Sequence, residues 1–438
     1  MGYTYDITTS KRDNTSSNCL FACHTLDTIT TLFVSTFLVA YIYQFSENTF
    51  EYIFNVGIYY ISLYAVFLIA YLIFSYITDL TNRIWIYRLG QLIRLVFVVS
   101  IIFFGQELAQ MLYLAGGIYG ISEACYYASY NVLKQEMVSR KVMNKFSVFI
   151  TIASKCMDII VPISLGALIS ISTYEQASIY VAVIIALILI LSFFVKAKRP
   201  ENSNFSLKNY FKVLKEHPDA REKIFFMYKV SIVHGFTTIT STLLNVCIML
   251  QFGSSFSLGS ITSIISAVTI VELVLVTRFT KPAKRDWLYY IVMFIPLFSS
   301  ILFTVYPSVV TVIVFNLLMM ISKMFYTVVY DMYRNSTLKE AGLYSEIAEH
   351  QTVVEVLLAF FRVVSFAVMI VVGLLKNLLV FKILLVVFSL SYSATNLGLM
   401  LYEKKFLKAS PEGIVNLTPR EQEQEFQRII QKLKKNSW

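Results

Sequence analysis

Apolar runs long enough to cross a bilayer recur along almost the whole chain, and no other feature limits its possible folds so sharply. A transmembrane helix needs about 20 mostly apolar residues. Twelve runs meet that need, at 28–45, 52–77, 84–105, 109–133, 145–171, 178–196, 224–251, 258–278, 287–305, 307–333, 351–375 and 377–402. They are too long and too evenly apolar for outer-membrane strands, which alternate over about ten residues. Hydrophobic residues make up 57% of the 438 and charged residues only 15%, with a mean hydropathy of +0.66. A soluble chain of this size carries far more charge. The fold class expected is an all-α polytopic membrane protein of 12 transmembrane helices, with the lipid bilayer as its surroundings.

The net charge of +10 could point to nucleic acid, but its placement argues against that. Basic residues follow every second span: Arg83 and Arg88, then Lys134, Arg140, Lys141 and Lys145, then a run from Lys196 to Lys223, then Arg278 to Arg285, then Arg334 and Lys339. The opposite loops hold Glu47, Glu51, Glu107 and Glu175, with Lys376 as their only basic residue. Basic loops stay cytoplasmic. The charge is therefore a topology signal that places both termini in the cytoplasm of a multi-pass plasma-membrane protein.

The same pattern divides the chain. Residues 1–24 are polar, lack a charged-then-apolar leader, and read as a disordered cytoplasmic tail with no cleavable signal. Residues 25–196 and 224–402 form the two six-span halves, joined by the basic linker 197–223. Residues 403–438 form a cytoplasmic tail. In it, Thr418-Pro419-Arg420-Glu421 opens a helix whose apolar face carries Phe426, Ile429, Ile430 and Leu433. Three of the five cysteines, Cys125, Cys156 and Cys247, lie in spans and two, Cys19 and Cys23, in the N-terminal tail, so no disulfides are expected. Cys19, Cys23 and His24 could be three metal ligands, but no fourth is nearby and solvated thiols are the simpler reading.

The halves repeat each other. Ser122-Glu123-Ala124-Cys125-Tyr126-Tyr127-Ala128-Ser129-Tyr130-Asn131 returns 200 residues later as Ser322-Lys323-Met324-Phe325-Tyr326-Thr327-Val328-Val329-Tyr330-Asp331. Glu123, Tyr127, Tyr130 and Asn131 share one helical stripe, and Lys323, Thr327, Tyr330 and Asp331 share its counterpart. Asp27 aligns with His234, at an offset of 207. Polar repeats at membrane depth point to the central site of a transporter built from two pseudo-symmetric six-helix bundles.

Charges inside spans are costly and mark function or pairing. On the next span Lys155 repeats as Glu355, again at an offset of 200. The rise per residue sets Glu123 level with Lys155, and Lys323 level with Glu355. Each half is thus expected to hold one acid–base pair across neighbouring helices. Asp158, Glu272 and Arg362 are further charges inside spans. A structural role in fixing helix register is the alternative for all of these.

Between spans 2 and 3 lies Ser75-Tyr-Ile-Thr-Asp79-Leu-Thr-Asn82-Arg83. With twelve spans in two sixes and a basic central link, this loop resembles the major facilitator superfamily, whose pattern there is G-x-x-x-D-R-x-G-R-R. Asp79 and Arg83 match its acid and first following basic residue. Ser75 and Asn82 stand in place of its glycines and Ile84 in place of its last basic residue; Asn tolerates the left-handed turn that a glycine would serve. The loop after span 8 echoes it with Lys281, Lys284 and Arg285 but no acid. The resemblance implies that Asp79, Arg83 and Lys284 gate the cytoplasmic side. Pro162-Ile-Ser-Leu-Gly166 keeps two residues of the Gly-Pro-x-x-Gly-Gly pattern of the family's antiporters. Tyr130-Asn131-Val132-Leu133 looks like the same stretch in bacterial permeases of unestablished substrate.

No phosphate-binding G-x-x-x-x-G-K-[ST] loop occurs, and no nucleophile–base order stands out among only four histidines, so neither ATP-driven nor enzymatic chemistry is expected, and no cofactor. His234 is the only histidine inside a span, and a structural role fits it better than a proton relay. The reading is a monomeric, proton-coupled secondary transporter of the bacterial inner membrane working by alternating access. Its cavity is expected to carry Glu123, Tyr127, Tyr130, Asn131, Lys323, Tyr326, Tyr330 and Asp331, with Lys155, Asp158, Glu272, Glu355 and Arg362 as buried charges. Glu123 and Lys323 at opposite ends suit a small zwitterionic solute. The aromatic content of 15% leaves export of amphipathic drugs or lipids as an alternative, and a sensor or scaffold acting through the C-terminal helix as another.

Overall fold

The structure is a computed structural model that describes residues 11–137, 140–197, 205–279, 286–340, 343 and 346–407. It contains fifteen α-helices among the described residues. α1 (Lys11–Leu32) passes through a π-helical turn (Phe33–Phe37) into α2 (Leu38–Gln44). Then come α3 (Thr49–Leu80), α4 (Arg83–Gln110), α5 (Leu112–Met137), α6 (Arg140–Ile171) and α7 (Tyr174–Ser192). The linker forms α8 (Leu207–Glu216). α9 (Pro218–Gly235), α10 (Thr237–Phe252), α11 (Ser255–Phe279), α12 (Asp286–Val305), α13 (Val309–Glu340), α14 (Ile347–Leu375) and α15 (Leu378–Tyr402) complete the set.

Ten of the described helical stretches are long and apolar enough to cross a membrane, counting α1 with α2 and α9 with α10 as continuous spans. α5 and α11 are not among them. In α11 the residues with described side chains give a shorter apolar stretch, Ser255–Val271. α5 breaks its apolar run with Ser122, Glu123, Ser129 and Asn131. Large apolar side chains such as Phe103, Ile171, Phe294, Phe298 and Leu379 stay exposed, as they do when lipid replaces water. The chain is a multi-pass helical membrane protein.

Sequence chemistry sets the helix starts. Asn48 accepts from the backbone N–H groups of Phe50 and Glu51, and Asn377 from those of Leu379 and Val380, so α3 and α14's successor α15 both begin on an Asn cap. Asn82, expected in a left-handed turn, is extended instead (φ −75°, ψ 118°) and caps α4 through Ile84 N–H. α1 begins well before the expected boundary, because Leu20 and Cys23 pack against Ile84, Tyr87 and Ile188. The expected disordered tail is therefore helical from Lys11. The predicted C-terminal helix and its Thr418 cap lie outside the described residues.

Most helices up to α7 pack on one another, with α3 on α5 and α4 between α5 and α7. Those from α9 onward do the same, with α12 between α13 and α15. The two sets meet along α3 with α14 and α6 with α11. The repeat seen in the sequence recurs in these contacts. Ser122 Oγ donates to Gly90 O on α4 (3.0 Å), and Ser322 Oγ donates to Val292 O on α12 (2.8 Å). Tyr130 stacks on His24 and Tyr330 packs on His234, each with ring centres 4.5 Å apart. His24, one turn before Asp27, is thus the spatial counterpart of His234.

The linker helix is anchored on the second set. Tyr210 and Leu214 pack against Ile224, Leu338, Val354 and Leu358. The Tyr210 hydroxyl meets the Tyr228 hydroxyl at 2.5 Å and His350 Nδ1 at 3.1 Å. Burial, more than the nearby carboxylates Glu346 and Glu349, pushes the Tyr210 hydroxyl above the usual phenol range.

Candidate functional site

Among the described residues, the most heavily charged buried cluster centres on Arg94 of α4, which has no exposed side-chain surface. Its guanidinium donates to Asp27 of α1 and to Glu123 of α5. It also donates to Thr30 Oγ1 (3.2 Å) and Ser122 Oγ (3.3 Å), while Gln91 Nε2 donates to Asp27 (2.9 Å). The rings of Tyr119 and Tyr126 lie 5.6 and 5.2 Å from the guanidinium carbon. Five N–H donors in a planar fork let one arginine hold two carboxylates. Two acids on one base leave one surplus negative charge deep among the helices.

The expected pairs are not the ones that form. Lys155 donates to Asp158, three residues along the same helix, at 2.8 Å. Glu355 accepts from Arg334 of α13 at 2.8 Å, and Gln351 accepts from the same guanidinium nitrogen. Lys323 instead donates to Ser241 Oγ on α10 at 3.1 Å. Equal depth therefore did not make partners of Glu123 and Lys155, or of Lys323 and Glu355. A contact three residues along one helix needs no reorientation, and arginines on adjacent helices reached the acids first.

Several cavity candidates face inward to their own helices. Tyr326 and Tyr330 are each 1% exposed and Tyr130 is 5% exposed. Tyr326 packs on Tyr392 and His234, Tyr330 shares a hydrogen bond with Ser231 Oγ (2.7 Å), and Tyr130 stacks on His24 and Tyr126. They brace the walls from behind. Tyr127 is the one of the four that reaches the seam, packing on Phe67 of α3 within electrostatic reach of both Glu123 and Glu355. Asn131 lies within hydrogen-bond reach of the Tyr71 hydroxyl across the α3–α5 contact. Asp331 is exposed and within electrostatic reach of Arg334.

Arg362 of α14 crosses the seam. Its Nε donates to Thr238 Oγ1 on α10 (3.0 Å), and its guanidinium lies over the Tyr64 ring of α3 at 5.1 Å. Tyr64 is also in electrostatic reach of Glu123, so the Arg94 cluster and Arg362 face each other across it. The side chain of Glu272 and all of Lys284 lie outside what is described. Among the described residues no three His, Cys, Asp or Glu side chains are placed to hold a metal. His24 Nδ1 instead shares a 2.7 Å hydrogen bond with the Tyr126 hydroxyl, and Cys23 Sγ donates to Ile188 O. A separate cleft of about 450 Å³ between α2, α3 and α5, bounded by Phe45, Glu51, Phe54 and Asn55, is lined by none of the clustered charges.

The expected gating residues sit where the linker meets both sets of helices. Asp79 at the end of α3 accepts from Phe205 N–H (2.8 Å), and Glu349 at the start of α14 accepts from Ser206 N–H (3.1 Å). Arg83 Nη2 lies 4.0 Å from Asp79. Two neighbouring backbone donors of one linker turn thus tie α3 to α14. Asp79→Ala removes one charged acceptor. The Phe205 amide is then expected to exchange with deuterium about tenfold to a hundredfold faster, by hydrogen-exchange mass spectrometry, with the core of α3 unchanged.

Helices long enough to span a bilayer, a seam between two sets of them and charges buried along that seam define a membrane transporter of the secondary type. The comparisons specify the family. A profile of the Major Facilitator Superfamily matches residues 18–348, and the chain belongs to that superfamily. It is therefore a transporter and not an enzyme. Among curated proteins it is 23% identical over 261 residues to the uncharacterised protein YqgE of Bacillus subtilis (strain 168), a match spanning 57% of each chain. Among solved structures it resembles a POT family transporter in complex with 5-aminolevulinic acid, with a TM-score of 0.66 and 12% identity over 89% of this chain and 96% of that one. It also resembles the nucleoside transporter NupG, with a TM-score of 0.59 and 15% identity over 88% and 99%. At those identities the likeness concerns the fold.

Proposed function

We propose that the chain is a proton-coupled secondary active transporter that carries a small organic solute by alternating access. Two six-helix bundles, residues 25–196 and 224–402, rock about the α3–α14 and α6–α11 contacts, with α5 and α11 completing the twelve spans. The basic loops and both termini face the cytoplasm of a bacterial inner membrane, and the unit is a monomer. Asp79 and Arg83 act as gates through the linker.

The observation that carries the reading is Arg94 shared between two carboxylates. Asp27 is 4% exposed at its side chain and Glu123 12%, so Glu123 is the one that meets the seam. A proton on Glu123 cancels the surplus charge and leaves Arg94 to Asp27. The groups around the cluster are Asp27 on α1, Tyr59 and Tyr64 on α3, Arg94 on α4, and Tyr119, Tyr126 and Tyr127 on α5, with Arg362 of α14 over the Tyr64 ring. Proton and solute would then be coupled because only the neutralised cluster lets the seam close over cargo.

Reconstituted vesicles with a pH dye inside test this. The wild type is expected to move protons when a transported solute is added, drawn from a metabolite panel that includes 5-aminolevulinic acid. Glu123→Gln is expected to exchange labelled solute while losing its response to a pH gradient. A Glu123→Gln protein whose solute accumulation still follows the pH gradient sinks the assignment.

A further inference from the structure

The other buried or half-buried cations described along the seam each have an acid: Arg94 holds Asp27 and Glu123, Arg334 holds Glu355, and Lys155 holds Asp158. Lys323 and Arg362 do not. Among the described residues neither forms a salt bridge, and each spends one donor on a neutral hydroxyl. Those hydroxyls, Ser241 and Thr238, are three residues apart and therefore neighbours on one face of α10. The Tyr392 hydroxyl joins Ser241 at 3.0 Å, and the Tyr64 ring lies under Arg362. Both cations, with Arg334, are within electrostatic reach of the same His234 ring. Lys323 also senses Lys155 and Asp158, whose charges cancel, while Glu123 is committed to Arg94.

We propose that Lys323 and Arg362 form the binding site for an anionic group, so that the cargo is a carboxylate- or phosphate-bearing solute. Two cations left without acids in a low-dielectric site need a counter-ion, and several of their N–H donors are uncommitted. Arg362 offers a flat fork for a carboxylate or phosphate edge, and Lys323 offers a point charge beside it. The Tyr64 and Tyr392 rings would flank the body of the solute. This rests on the transport reading above and shifts the expected cargo from a balanced zwitterion toward a solute whose anion is held on the second bundle. An anionic lipid headgroup would satisfy the same chemistry from another source.

The test uses the full chain in phosphatidylcholine nanodiscs. Thermal unfolding and binding are followed with inorganic phosphate, succinate and glycerol 3-phosphate against succinamide and glycerol, and in a separate arm with phosphatidylglycerol added to the disc. At least one soluble anion is expected to stabilise the protein and its uncharged counterpart not to. Lys323→Gln and Arg362→Gln are each expected to weaken that binding about tenfold to a hundredfold, with Lys323→Arg retaining most of it. Their unbound melting temperatures report whether they fold. Stabilisation by phosphatidylglycerol alone, lost in the same variants, assigns the site to a lipid headgroup and overturns the soluble cargo. Anion binding untouched by either substitution, or a protein that binds none of these anions, overturns the site. Vesicle exchange of the uncharged solutes alone would do so too while leaving transport intact. Vesicles that move no solute of the wider metabolite panel would instead defeat the transport reading, whatever the binding result.

Discussion

Arg94→Met is expected to be among the most destabilising single substitutions in the protein. The change deletes the one base that Asp27 and Glu123 share, and both carboxylates stay buried. Breaking a buried pair by removing one partner costs about 3–5 kcal/mol, because the remaining charge has neither water nor a partner. Here two acids are stranded, and Ser122 and Thr30 lose a donor as well. The variant should melt well below the wild type in detergent and yield a smaller monodisperse fraction. The combined variant Asp27→Asn, Arg94→Met, Glu123→Gln removes all the charges together. It is expected to recover most of the stability, since an uncharged core of similar volume carries no ionic desolvation cost. It should still show no response to a pH gradient. If Arg94→Met melts with the wild type, the two carboxylates are not held as a charged cluster. If the combined variant melts as low as the single one, packing of the guanidinium stem rather than charge sets the stability.

Much of this was legible in the chain itself, and the limits of the reading have physical causes. The repeat around Ser122 and Ser322 appears in space as two equivalent hydroxyl-to-backbone contacts, because both serines serve the same helix crossing. Glu123, Lys155, Lys323 and Glu355 were recognisable from their cost inside apolar runs. Their partners were not, since the rise per residue fixes depth but not the direction a side chain takes around its helix. Arg94 carried the signal that would have exposed it, a guanidinium between Ile93 and Leu95 in the middle of a span, one turn from Gln91. Arg334 looked like a loop residue. α13 continues past it to Glu340, so it turns inward to Glu355 instead. The tyrosines were misplaced for a related reason. Tyr130, Tyr326 and Tyr330 lie on polar stripes of their helices, and a stripe does not say whether a neighbouring helix or a cavity covers it.

The second large effect concerns the seam. At one end of the molecule the two sets of helices touch through glycines in pairs. Gly259 of α11 packs on α6 so closely that a Cβ there would lie 2.2 Å from Pro162 O and 3.2 Å from Gly166 Cα. Gly373 of α14 packs on α3, where a Cβ would lie 2.9 Å from the Phe54 backbone. Both contacts fall at the end of the molecule where Glu47, Glu51 and Glu175 lie. The opposing atoms are backbone, which cannot swing aside as a side-chain tip can. A methyl group at either position must push the helices apart, and overpacking of this kind costs typically about 1–3 kcal/mol. In the alternating-access cycle proposed above, that cost falls on the conformer in which this end is shut. The population should shift by roughly 5- to 150-fold toward the opposite opening. Gly259→Ala and Gly373→Ala are therefore expected to raise labelling of Ile370→Cys by a membrane-impermeant thiol reagent, in a background where the exposed Cys156 is replaced by Ser. Gly117→Ala is the matched control, because a Cβ there meets only side-chain atoms of Val66 and Ser62 at 3.6 and 3.7 Å. Its labelling should stay at the parent level. Equal labelling in all four proteins would mean that the glycine contacts do not form the closing surface. Lower melting temperatures without any gain in labelling would mean that they serve packing within a single conformer.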